Sequence, residues 1–197
     1  MKRIIGTVAI SVALVLPPGM LATAASASPP HLSAKLLSIG QMPTGWSVDN
    51  SQQGSGGFAG CLTAKPGGLK PVATAGVTFA DGGSLPEVSE ALAAYGSPIN
   101  KAFSKLMGAL DHCRSISMVT DGKKTTVEVG QMSFPHFGDQ SAAFDFTFAV
   151  DGVNAGADFL VARSGRIAIL FMELDLGSPD VNQFEGFVKL AFVKISG

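Results

Sequence analysis

Asp145 and Asp158 lie on either side of the dipeptide Asp151-Gly152, in a stretch where apolar and polar residues alternate. If that dipeptide is a two-residue hairpin turn, the two aspartates face each other across the hairpin. Taking Ser164-Gly165 as the next two-residue turn places Phe171 beside Asp158 and Glu173 beside Gly156. Like charges directly opposed in a sheet are unfavourable, so the pair calls for water, a counter-ion or a partner. Two carboxylates are the raw material of acid–base catalysis and of hard-cation binding, but the remaining parts of either chemistry are absent. Calcium takes about six to eight oxygens, and this pair offers too few. Two readings stay open: a solvated outer face whose acids splay into water, or a ligand-facing patch made of Asp145, Asp158 and Phe171, with Trp46 as a further candidate.

The other reactive side chains form no recognisable motif. The histidines are His31 near the N-terminus, His112 beside a cysteine and His136 in a loop. No nucleophile elbow surrounds any serine, and there is no phosphate-binding glycine loop, no dinucleotide fingerprint and no metal-spaced His/Cys cluster. The residues therefore call for no cofactor and no metal, and they point to a non-enzymatic protein. Trp46, the single tryptophan, is read as a plug closing one end of the core, with ligand stacking as the alternative.

The stretches around these residues indicate an export route. Lys2 and Arg3 precede an apolar run from Ile4 to Leu16, and Ala25-Ser26-Ala27 has the small-x-small pattern of a cleavage site, which places a cut after Ala27. The run is broken by Pro17 and Pro18, short of the roughly 20 residues a bilayer requires, so no membrane span is expected after leader removal. No cysteine stands at the cut for lipid attachment. Residues 28–197 suit a single secreted α+β domain, found outside the cell or in the wall. Removing Lys2 and Arg3 takes the formal net charge from −1 to −3, which argues against a nucleic-acid partner. The two cysteines read as one disulfide, Cys61 to Cys113, in an exported chain. Closing a loop of about 50 residues is worth roughly 4 kcal/mol by chain entropy.

In chain order, Ser33 caps a short helix that ends at Gly40, and Trp46 to Asp49 forms a strand. Asn50 to Gly60 is Ser, Gln and Gly with one Phe, a composition that predicts a mobile loop. Val72 to Ala80 is a strand, whereas Leu85 to Tyr95 satisfies both helical and alternating spacing. Ser97-Pro98 opens a helix carrying Ile99, Ala102, Phe103, Leu106, Ala109, Leu110 and Cys113 on one face. Ser115 to Thr120 and Lys124 to Ser133 make a hairpin around Asp121-Gly122-Lys123. Ser178-Pro179-Asp180 opens a final helix burying Val181, Phe184, Val188, Ala191 and Ile195, with Gly186 weakening its middle by about 1 kcal/mol.

Three strand-length runs between residues 142 and 174 then form an antiparallel meander. The first turn opposes Phe144 to Phe159, Phe146 to Ala157 and Phe148 to Ala155. That phenylalanine layer, with small partners, is the expected seat of both amphipathic helices.

Leu36-Leu37, Met42-Pro43-Thr44-Gly45-Trp46, Cys113-Arg114-Ser115, Phe137-Gly138-Asp139-Gln140-Ser141-Ala142, Val150-Asp151-Gly152-Val153, Arg163-Ser164-Gly165 and Ala191-Phe192-Val193-Lys194 together resemble the secreted actinobacterial sensor-domain proteins. These are similar to the extracellular domain of a mycobacterial Ser/Thr receptor kinase of the kinase H type. The resemblance spans nearly all of the chain after the leader. It implies a twisted antiparallel sheet with two or three helices packed on it, a strand over Val88 to Tyr95 and a cleft for a ligand. That kinase domain carries two disulfides where this chain can form one, and no kinase domain is present here. The implied role is therefore ligand or partner binding: an unknown small molecule or envelope component, or another envelope protein bound without a small-molecule pocket. An exported hydrolase is the remaining alternative.

Overall fold

The computed structural model describes residues 31–49, 57–60, 70–120, 123–150 and 152–196. The leader with its cleavage site, most of the Gly/Ser-rich loop and Cys61 lie outside the described residues. Nine antiparallel strands form one sheet: β1 (Trp46–Val48), β2 (Gly57–Gly60), β3 (Ala73–Asp81), β4 (Ser84–Ala94), β5 (Ser115–Thr120), β6 (Lys123–Met132), β7 (Gln140–Val150), β8 (Val153–Ser164) and β9 (Ile167–Leu176). Their order across the sheet is β1-β3-β4-β9-β8-β7-β6-β5-β2. Helix α1 (Asn100–Asp111) connects β4 to β5, and α2 (Val181–Ser196) follows β9. The architecture is α+β, as the sequence indicates.

Hairpins built on left-handed glycines set most of the register. Gly82 and Gly83 (φ 56° and 78°) turn β3 into β4, and Gly152 (φ 83°) turns β7 into β8. The β7–β8 pairing matches expectation, with Phe144 opposite Phe159 and Asp145 opposite Asp158. Leu85 to Tyr95, ambiguous on local pattern, lies almost entirely in β4, between β3 and β9. The β8–β9 turn differs from the reading. Ser164 pairs with Ile167, so the turn is Gly165-Arg166, and Glu173 rather than Phe171 stands opposite Asp158. Gly165 adopts φ 58° and donates its N–H to Asp139 Oδ2 at 2.8 Å, which fixes the turn there. A shift of two leaves every side chain on its expected face.

The helices do not share a face. Ile99, Phe103, Met107, Leu110 and Cys113 pack with Phe144, Phe146, Phe148, Phe159, Ala155 and Ala157. On the opposite face Phe184, Phe187, Val188, Ala191 and Ile195 pack with Phe79, Val88, Leu92, Leu160, Ile169 and Phe171. The sheet is therefore the middle of three layers. β8 shows this directly, being buried on both faces from Ala155 to Ala162, as happens to a strand covered on both sides.

Both helices start later than their Ser-Pro signals. α1 is preceded by Ile99, which makes no side-chain cap and is 3% exposed, so an apolar anchor sets its start. α2 is capped by Asp180, whose Oδ1 accepts the N–H groups of Asn182 at 2.9 Å and Gln183 at 3.4 Å. Val181 is exposed rather than buried, and Phe187 and Phe192 join the core instead. The expected N-terminal helix is two short 3-10 turns, Leu32–Lys35 and Ile39–Gln41. Part of the expected loop is strand: Gly57–Gly60 pairs with β5.

Candidate functional site

A cleft of about 250 Å³ opens beside the loop joining β6 to β7. Its polar groups come from three places: Asp111 at the last turn of α1, Gln131 near the end of β6, and His136 and Ser141 from the loop and the start of β7. Met132, Phe134, Ala143 and Phe144 supply apolar wall. Gln131 Nε2 donates to the Asp111 carbonyl at 3.2 Å, tying β6 to the helix end. Arg114 Nη1 donates to the same carbonyl at 3.0 Å and to that of Cys113 at 3.1 Å, a cation at the negative end of the helix.

The loop that borders this cleft is held from behind. Phe134 packs on Phe184 with ring centroids 5.2 Å apart, and Phe137 on Phe192 at 5.1 Å. Asp139 Oδ2 pairs with Arg163 Nη1 at 2.7 Å. Gly138 sits at φ 67°, and a Cβ there would collide with the Arg163 carbonyl. The Phe137-Gly138-Asp139 and Arg163-Ser164-Gly165 segments, which carried the family resemblance, are thus two halves of one joint.

An imidazole, a hydroxyl and a carboxylate line one cleft, which raises the question of a catalytic triad. Ser141 Oγ accepts the Phe137 N–H at 3.0 Å and so shapes the loop. Among the described residues no hydrogen bond joins His136, Ser141 and Asp111, whereas a nucleophile and base lie within about 2.6–3.2 Å of each other.

The residues singled out from sequence lie elsewhere. Gly130, Asp145, Asp158, Glu173, Val88 and Phe79 form one row across β6, β7, β8, β9, β4 and β3. The row lies on the face that α2 covers, which corrects the solvated reading: Asp158 is 3% exposed, Glu173 1% and Phe171 1%. Phe171 packs on Phe184 at 5.8 Å. Asp145 is half-buried, and its carboxylate occupies the space a Cβ at Gly130 would need. Trp46 is apart from them, half-buried and edge-on to Phe187 at 5.5 Å and 66°.

Burial dominates the acidity of this row. It pushes the Asp158 carboxyl up to about 6, helped by Asp145 and Asp180. Glu173 is pushed up to about 8, with Asp158, Asp175 and Asp180 adding to the burial. Asp158 Oδ2 and Glu173 Oε2 are buried with no hydrogen-bond partner. Among the described residues no group of three or more His, Cys, Asp or Glu is placed to hold a metal ion.

A third buried acid, Glu90, anchors the N-terminal segment. Its Oε2 accepts the Leu37 N–H at 2.7 Å, and burial pushes it up to about 7 against the pull of that bond and of Lys194. Lys194 Nζ donates to the Leu36 carbonyl, and Lys35 Nζ to the Ile195 carbonyl at 3.0 Å. The segment is strapped to the C-terminal end of α2, where cations are favoured.

The overall fold has a counterpart among solved structures. The fold resembles that of a receptor-kinase extracellular domain. The chain matches the crystal structure of the extracellular domain of PknH from Mycobacterium tuberculosis with a TM-score of 0.62, 10% sequence identity, and coverage of 83% of this chain and 94% of that one. No protein family matches the chain, and no curated protein matches it. At that identity the likeness to the PknH domain concerns the fold. Among the described residues no helix is long and apolar enough to cross a membrane.

Proposed function

We propose that this chain is a secreted, non-enzymatic binding module of the cell envelope or exterior, resembling the PknH extracellular domain in role as in fold, and that the cleft bordered by Asp111, Gln131, His136 and Ser141 receives its ligand. The observation that carries this is the cleft itself. Four polar groups converge on one concavity with an apolar wall, and the loop forming it is fastened by an ion pair and two ring contacts. Binding sites have this composition: apolar walls with a few fixed polar groups. The cleft is small for a drug-sized ligand, so the ligand class is a compact polar molecule.

The export signal expected at residues 1–27 supports placement outside the cell. The disulfide from Cys61 to Cys113 belongs to the same proposal. Cys113 is 3% exposed at the end of α1, and β2 pairs with β5 so that Gly60, the residue before Cys61, lies opposite Ile116.

Nuclear magnetic resonance spectra recorded while fractions of envelope extract are added test the site. Shifts gathered on Asp111, Gln131, His136 and Ser141, and lost in His136→Ala, support it. Shifts confined to the strand edges or the outer face of α2 transfer the role to protein–protein interaction. The covering of the acidic face by α2 is the observation favouring that second reading, because it removes the most polar surface the sequence offered to a small ligand.

A further inference from the structure

The acid row beneath α2 has no part in the cleft, yet it is an unusual thing to bury. Asp158 and Glu173 stand directly opposite each other on β8 and β9, with Asp145 next in the row on β7. The start of α2 lies above them: a Cβ added to Gly156, two residues from Asp158, would meet the Gly177 carbonyl and, at 3.1 Å, Pro179 Cδ. Among the described residues the charged groups around the pair are all acidic. Asp145 faces it from β7, Asp175 from the end of β9 and Asp180 from the start of α2. Glu90 on β4 is opposite Phe171, further along the face, and Lys194 acts on Glu90 at the far end of α2. The Lys189–Glu185 pair is an i,i+4 contact along α2 itself. Among the described residues no lysine, arginine or histidine bonds to Asp158 or Glu173. Helix α2 does not neutralise them through its first turn either, since the amides of Asn182 and Gln183 donate to Asp180.

We infer that the opposed Asp158–Glu173 pair is a proton-held latch for the N-terminal turn of α2, closed while the pair retains a proton and loosened when both carboxyls ionise. The chemistry is that of two carboxyls sharing a site. With one proton, a carboxylic acid and a carboxylate form a donor and an acceptor; with none, two like charges face each other out of water. The sheet is fixed on both sides of the pair by full ladders, while the residues above it form the end of a helix that is held mainly through Phe184 and the side chains after it. The element free to yield is therefore the turn at residues 177–183. Lifting it admits water to the row and relieves the repulsion. The latch is independent of the cleft, and either can fail without the other.

Hydrogen exchange measured by mass spectrometry on the intact protein, from about pH 5 to about pH 9 and corrected for intrinsic exchange, tests this. While the closed turn holds a proton that the open turn does not, the opening constant rises about tenfold per pH unit. Protection of residues 178–187 in the parent is therefore expected to fall about tenfold per unit up to about pH 8, with the β7–β8 strands unchanged. In Glu173→Gln it is expected to stay flat above about pH 6, where Asp158 has already ionised. Constant corrected protection in the parent, or an equal fall in Glu173→Gln, overturns the inference. Should that variant fail to fold, carbon-13 carboxyl titration of the parent is set beside its own exchange: a Glu173 resonance titrating above neutrality over the same pH range in which residues 178–187 lose protection upholds the latch, and one titrating in the ordinary glutamate range overturns it.

Discussion

Replacing Glu173 by glutamine is expected to stabilise the protein increasingly as pH rises. The carboxyl has an ordinary value of 4.5 and stands at about 8 in the fold, so between those limits the folded chain holds a proton that the unfolded chain has released. A raised acid contributes stability that is full below the unfolded value and is lost as pH climbs toward the folded one. Each pH unit in that window is worth about 1.4 kcal/mol per proton. From pH 5 to pH 7 the parent should therefore lose about 3 kcal/mol through this group, a large part of a typical stability of about 5–15 kcal/mol. Asp158, pushed up to about 6, shares the same repulsion, so the pair is treated as losing that amount together. Glutamine keeps the shape and has no proton to lose. Its amide costs something in a site with no partner, which is a constant offset at every pH. The assay is urea unfolding of both proteins at pH 5, 6, 7 and 8. The difference in stability, variant minus parent, should grow by about 2–3 kcal/mol from pH 5 to pH 7. A difference that does not change with pH, or that shrinks, would contradict the burial of Glu173 opposite Asp158.

Other substitutions test separate parts of the fold. Gly186 lies exposed within α2 with open space where a Cβ would go, so Gly186→Ala should add about 1 kcal/mol, read as a higher urea midpoint. Asp139→Ala removes the acceptor for both Arg163 Nη1 and the Gly165 N–H; it should cost about 1–3 kcal/mol and speed proteolysis within residues 133–139. Folded protein without reductant should resist thiol labelling, and prompt labelling of Cys61 would sink the proposed bridge.

Local pattern carried the fold a long way and then stopped for physical reasons. The β7–β8 register was legible because a two-residue turn fixes every pair along a hairpin, including Asp145 with Asp158. The amphipathic stripes of both helices were legible too. What alternation cannot state is which face a helix takes after a chain reversal. Gly177 (φ 81°) directs the chain back over the acid face, and nothing within β9 encodes that. The apolar half of that face, Leu160, Ile169 and Phe171, was the available sign that it is covered. Gly130 opposite Asp145 was another, since it leaves room for the carboxylate. The N-terminal strap joins residues far apart in sequence, Lys35 with Ile195 and Leu37 with Glu90, which no local window contains. The cleft was illegible for a related reason. Asp111 ends a helix while His136 and Ser141 flank a later loop, and only the sheet order brings them together.

Whether the cleft beside the β6–β7 loop holds a compact polar ligand can be read from native mass spectrometry of the protein purified from the medium of its producing cells. A small non-protein mass is expected to be retained on the parent and absent from His136→Ala at equal folding. A retained mass that His136→Ala holds equally well, or a parent that carries none and gains none from envelope extract, would contradict it.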